Sequence, residues 1–317
     1  MLKFALFPLF GMTVFSIKNN VRDFGIEFIT PSDADFDAAF RRFIGDFDVV
    51  VPLVEAAKPL VGFIKNNTPK EIIGISLQWS YFYPDGQLAF AAPDGISTPG
   101  ILMGMKVRDP LLIGKTSLIN GNELRFFSNN FNVNQTIENT HKKLRSPLMR
   151  YNPNADDIER QISFVKLQQK QGIMGKISLV TVSVAGMFFN DGAFIGSDEG
   201  FFFELTAGSV KARRDFVKKL REIKLSGKSD DEVLEEVTAD ISEIIESIPE
   251  HQPVHPSLRP GSPFADAQEA FNHGYRIHLK HLKEDILRRK EIFSAAKLIN
   301  EFLTVDDADF IDVYKKS

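Results

Sequence analysis

Near Gly200 the spacing of apolar residues changes, and that change constrains the fold more than any single motif does. Upstream, Ile73, Ile75, Leu77, Trp79, Tyr81 and Tyr83 alternate with Gly74, Ser76, Gln78 and Ser80. A period of two gives a strand one apolar and one polar face. Downstream, Val210, Phe216, Val217, Leu220 and Ile223 recur at the three-to-four spacing of a helical stripe. The expectation is an α+β chain, with an antiparallel β-sandwich body followed by a helical C-terminal region.

Turn signals divide the chain further. Residues 1–50 hold two short strands, 4–7 and 12–17, and a Phe-rich helix carrying Phe36, Phe40, Phe43 and Ile44, which packs on the body. Residues 1–16 also read as a secretion signal, since Lys3 precedes an apolar run and Val14 and Ser16 have cleavage-site spacing. Both readings stay open, and with them an exported or a cytoplasmic location. Residues 51–205 form the sandwich domain. Its clearest feature is a hairpin of strands 60–64 and 73–83 across the turn at 66–70. A long irregular insert spans 87–157, and strands resume at 161–167 and 177–189. Residues 206–317 are helical: a basic helix over 210–225, an acidic one over 229–248 opened by a Ser229/Glu232 capping box, and a Pro-rich linker over 253–263. A long helix over 265–303, kinked near Gly274, completes the region. The opposite charges of the first two helices suit an antiparallel pair.

Composition narrows the chemistry. The 317 residues include no cysteine, so disulfides, thiol nucleophiles and zinc–thiolate sites are excluded. With a net charge of −4 there is no global positive field, and nucleic acid is not an expected partner. No stretch reaches the roughly 18 apolar residues of a membrane span. Phenylalanine, at 29 residues against one Trp and five Tyr, points to a thick aromatic core.

Two segments carry a resemblance. The stretch 184–198 contains Phe189, Asp191, Gly192, Gly196 and Asp198, and the stretch 66–72 runs Asn66-Asn67-Thr68-Pro69-Lys70-Glu71-Ile72. Together they resemble uncharacterised bacterial proteins, often exported, with immunoglobulin-like β-sandwiches. In that pattern Ser197 stands where Pro is usual. The resemblance spans about a third of the chain. It implies an immunoglobulin-like fold and export, and it carries no activity.

Candidate sites follow from residue type and spacing. Trp79, Tyr81 and Tyr83 share one strand face, as a sugar-stacking platform would, or as a buried stripe would. Asp191, Asp198 and Glu199 gather carboxylates that suit calcium, although turn geometry alone also calls for Asp and Gly there. His278 and His281, with Glu284 beyond them, fall on one helical face and suit a transition metal. There is no phosphate loop, nucleophile elbow or zinc-protease helix, so no cofactor and no catalytic centre is expected. The function read from the residues is a non-catalytic binding or structural module with a protein partner. The alternatives are a carbohydrate-binding sandwich using Trp79, Tyr81 and Tyr83, or a metal-dependent hydrolase assembled from scattered residues.

Overall fold

The structure, a computed structural model, describes residues 14–18, 21–58, 60–97, 102–103, 119–128, 130–145, 150–170, 174–251 and 264–316. The strand at 4–7, most of the candidate signal segment and the linker at 253–263 lie outside these residues. The chain divides into two compact units. The first comprises Met1–Pro69, Leu77–Ala92 and Ile119–Val184, and the second Lys70–Ser76, Pro93–Leu118 and Ala185–Ser317.

In the first unit a three-stranded antiparallel sheet has the order β2 (Ile26–Ile29), β3 (Val61–Asn66), β6 (Leu124–Ser128). One face, with Phe63 and Phe126, is covered by helices α1 (Phe36–Ile44), α2 (Val51–Ala57), α3 (Phe131–Arg145) and α4 (Ala155–Lys170). These helices bury Phe36, Phe40, Phe43, Leu53, Val133, Ile137, Ile158 and Val165 in a shared core. The opposite face presents Phe127, whose ring lies 6.0 Å from that of Trp79. Trp79 belongs to β4 (Ile72–Phe82), the neighbour of β5 (Leu88–Ser97) and β7 (Leu179–Phe189). β1 (Val14–Lys18) pairs in parallel with the first half of β7, Val14 opposite Leu179 and Lys18 opposite Ser183.

The second unit is built around four helices: α5 (Phe202–Leu225), α6 (Asp230–Ser247), α7 (Ala267–Lys290) and α8 (Ala295–Phe302). Their core joins Phe216, Leu220, Val233, Val237, Leu279, Ile286, Leu298 and Phe302. The second half of β7 pairs with β8 (Ala193–Ile195), and β8 pairs in parallel with β9 (Tyr314–Lys315). α6 runs antiparallel to α5, with ion pairs Lys219–Asp240 and Lys224–Asp230 along the seam. Lys290 of α7 reaches Glu235 of α6 at 3.4 Å. α5 and α7 approach most closely at a pair of glycines: a Cβ on Gly208 would lie 2.1 Å from the Phe271 carbonyl oxygen, and one on Gly274 would lie 2.0 Å from that of Leu205.

Several expectations are corrected by this architecture. The immunoglobulin-like antiparallel sandwich with helix confined to its C-terminal side does not form. Helices α1–α4 lie among the strands of the first 200 residues, and β1–β7 and β8–β9 are parallel pairs. The strands flanking 66–70 are not a hairpin, because β3 pairs with β2 and β6 while β4 belongs to another sheet. The Asn66 side chain explains why: it accepts from Thr68 N–H at 3.0 Å and donates to the Asn120 carbonyl at 3.1 Å, directing the turn toward the strand at 124–128. The Asn-rich part of 87–157 is α3, whose Val133, Ile137 and Thr140 keep helical spacing, and the strand expected at 161–167 is part of α4. β4 is not half exposed, since Ser76 and Gln78 on its polar face are buried like Ile75 and Leu77. α7 is continuous through Gly274, and the break falls at 291–294, where Ser294 caps α8.

Candidate functional site

The predicted aromatic platform is closed. Trp79 is 2% exposed and Tyr81 is buried, its ring stacked 4.0 Å from that of Phe90. Tyr83 follows the end of β4 and is partly exposed, with its N–H bonded to the Gln87 carbonyl at 2.9 Å. The remaining candidates lie in the second unit. Among the described residues no group of three or more His, Asp or Glu side chains could hold a metal ion. Asp191 is taken up by Lys70 and by the N–H of Ala193, and Glu199 is exposed. His281 is exposed, while His278 turns inward beside Arg213.

Asp198 is instead joined to a residue that spacing did not suggest. It sits at φ 55° after β8, with Phe201 also at φ 55°, so two left-handed residues turn the chain into α5. Its Oδ1 accepts from Phe203 N–H at 3.0 Å, serving the free amides at the helix start. The Lys315 Nζ on β9 lies 2.9 Å from Asp198 Oδ2 and 2.9 Å from Glu204 Oε1. Burial first, and the neighbouring Glu204 carboxyl second, push Asp198 up to about 6. Burial opposes the charge on Glu204 as well, but the hydrogen bond from Asp198 and the Lys315 ammonium outweigh it and hold Glu204 below the ordinary carboxylate range. The pair therefore shares charge unequally. It is closed over by Lys315 and Phe203, whose ring centroid is 5.0 Å from the Nζ. This arrangement holds a turn and a strand in place.

A concave site does exist on the helices. A groove of about 540 Å³ opens between α5, α6 and α7. Its floor is apolar, formed by Phe216, Val237, Ile241 and Leu279, and Ile244 stands on its edge at 37% exposure. Lys219 is paired with Asp240 at 3.0 Å, and the Tyr275 hydroxyl donates to Asp215 at 2.9 Å. Burial and the Asp215 carboxylate raise the Tyr275 hydroxyl, so it stays protonated as a donor. The acids of α6 are mostly engaged: Asp230 with Lys224, Asp231 and Glu235 with Lys290, Glu236 with Lys228, and Glu232 in the Ser229 cap. Glu243 on the groove and Glu246 beside it are exposed and make no ion pair among the described residues. Of the large apolar residues in 265–303 only Leu287 and Ile292 are exposed, because Leu279, Leu282, Ile286 and Leu298 are in the core. Sequence reasoning missed the groove because its walls come from three helices far apart in the chain. The one available signal was the unbroken acidity of α6. Among the described residues no helix is long and apolar enough to cross a membrane. No family model, no curated protein and no solved structure matches this chain.

Proposed function

We propose that the chain is a protein-binding module, and that its groove between α5, α6 and α7 seats an amphipathic helical segment of a partner, with apolar anchors and basic flanking residues. The observation that carries the reading is an apolar floor with Glu243 on its α6 edge, a carboxylate that makes no ion pair among the described residues, facing an α5 edge that carries Lys218 and the paired Lys219. A groove lined in this way fits the helix-in-groove mode, where side chains one and two turns apart fill the floor. Glu243 and Glu246 would then pair with Lys or Arg on the partner's edge, giving orientation and on-rate more than affinity. The burial of Trp79 and Tyr81 favours a protein over a sugar, since a stacking ring must be open.

Fluorescence anisotropy with labelled model peptides tests the reading. A Leu/Lys amphipathic helix is expected to bind, and a Leu/Glu helix of the same pattern to bind at least tenfold more weakly. Ile244→Glu and the double variant Glu243→Lys, Glu246→Lys should each weaken the Leu/Lys peptide about tenfold or more while leaving the circular dichroism spectrum intact. Equal binding of both peptides, or binding indifferent to all three substitutions, would remove the groove from consideration.

A further inference from the structure

Where α6 ends and α7 begins, three rings and a carboxylate meet away from the groove floor. His251 has a side chain only 5% exposed, and its Nδ1 lies 2.9 Å from Glu269 Oε1. The other Glu269 oxygen accepts the N–H of Ala265. The His273 ring is 5.1 Å from His251 and crosses it at 76°. Phe264 closes the triangle at 4.6 Å from His251 and 5.3 Å from His273. Beside it, Arg276 donates through Nε to the Ile245 carbonyl at 3.2 Å and pairs with Glu250 at 3.3 Å. The His251 Nε2 is buried and makes no hydrogen bond among the described residues.

We propose that His251, His273 and Glu269 form an acid-sensitive clasp, which fastens the end of α6 to the first turns of α7 at neutral pH and releases it as the pH falls. Among the described residues Glu269 is the carboxylate bonded to this pair, through His251, so it can balance a single imidazolium. A second positive charge 5.1 Å away would face the first, and Arg276 beyond it; among the described residues the other acid near it is Glu250, which is already paired with Arg276. Burial first, then the charges of His251 and Arg276, lower His273 against the pull of Glu269 and Glu250. The folded clasp thus binds a proton on His273 less readily than the unfolded chain does. Its stability is complete above the ordinary histidine value of about 6.5 and is lost as pH falls below it. The inference does not depend on the groove binding a peptide, because its test reads only the two helix ends.

Hydrogen exchange of the full chain at pH 7.5 and pH 5.0, corrected for the intrinsic rate, measures the clasp directly. Amides of residues 245–251 and 264–276 should exchange at least tenfold faster at pH 5.0, while those of 295–302 on α8 keep their protection. In His273→Gln, which cannot take up the proton, the difference between the two pH values should fall below threefold. His273→Phe should behave in the same way and replaces it if the glutamine variant does not fold. Equal protection of wild type at both pH values would overturn the proposal. So would full acid opening in a folded His273 variant, or loss of protection in α8 to the same extent.

Discussion

Lys315 is one ammonium serving two carboxylates, and its removal has a sign that depends on pH. Without it, Asp198 and Glu204 face each other, Asp198 keeping the N–H of Phe203 and Glu204 a backbone N–H of its own. Because Lys315 is half exposed, the loss for Lys315→Met is set well under that of a fully buried pair, at about 1–2 kcal/mol at pH 7.5. Asp198 is raised, so its protonation favours the folded state as pH falls through about 6, and the stability it contributes is lost as pH rises. Urea unfolding of Lys315→Met should accordingly recover toward wild type at pH 5, and Asp198→Asn should restore most of the loss at pH 7.5. His278 has the opposite sign. Burial, then the charges of Arg213 and His281, hold it down to about 4, so the folded state loses stability as pH falls from about 6.5. The full span is worth about 3 kcal/mol at roughly 1.4 kcal/mol per pH unit. In His278→Leu, stability measured between pH 6.5 and 4 should flatten by about 2–3 kcal/mol, and an unchanged pH slope would show that this ring is not the acid-labile group.

Elements were legible where local chemistry decides them. Ser229 and Glu232 cap each other's amides at the start of α6, as the pattern required, and Ser229→Ala should cost about 1 kcal/mol in thermal or urea unfolding. α3 was hidden because its stripe of Val133, Ile137 and Thr140 is interrupted by Asn and Thr, residues that favour turns when read alone. The register of β3 was decided at Asn66, whose amide reaches a carbonyl 54 positions away, and no local pattern encodes that reach. Gly274 carries a similar lesson. In sequence it reads as a weak point in a helix, whereas in the fold it is the place where the backbone of α5 comes close. Gly274→Ala therefore should destabilise by about 1–3 kcal/mol despite the better helix propensity of alanine, with the cost read from urea midpoints. A stabilised variant would mean that α5 and α7 can separate cheaply.

At the scale of the molecule, the single tryptophan reports on the first unit. Trp79 packs near Phe127 and is almost wholly buried, so its emission should be blue-shifted, resistant to iodide and unchanged by added polysaccharides. Red-shifted emission that responds to a glycan would bring back the sugar platform. The net charge is modestly acidic, and Glu243 and Glu246, which make no ion pair among the described residues, stand one turn apart on α6 with Glu243 on the groove. This is why binding of a basic peptide, more than overall stability, should weaken with added salt.

The sequence by itself determined the apolar stripe of α5, where the acidic helix α6 starts, and that no thiol chemistry is available. These properties depend on neighbours within a few positions and on residue types. Tertiary structure alone decided that β3 and β4 part company, that Trp79 is covered, that Asp198 meets Lys315, and that His251 meets His273. Each of those outcomes depends on which distant segment fills the remaining apolar surface. Burial is nondirectional, so a hydrophobic pattern specifies that a face must be covered without specifying what covers it.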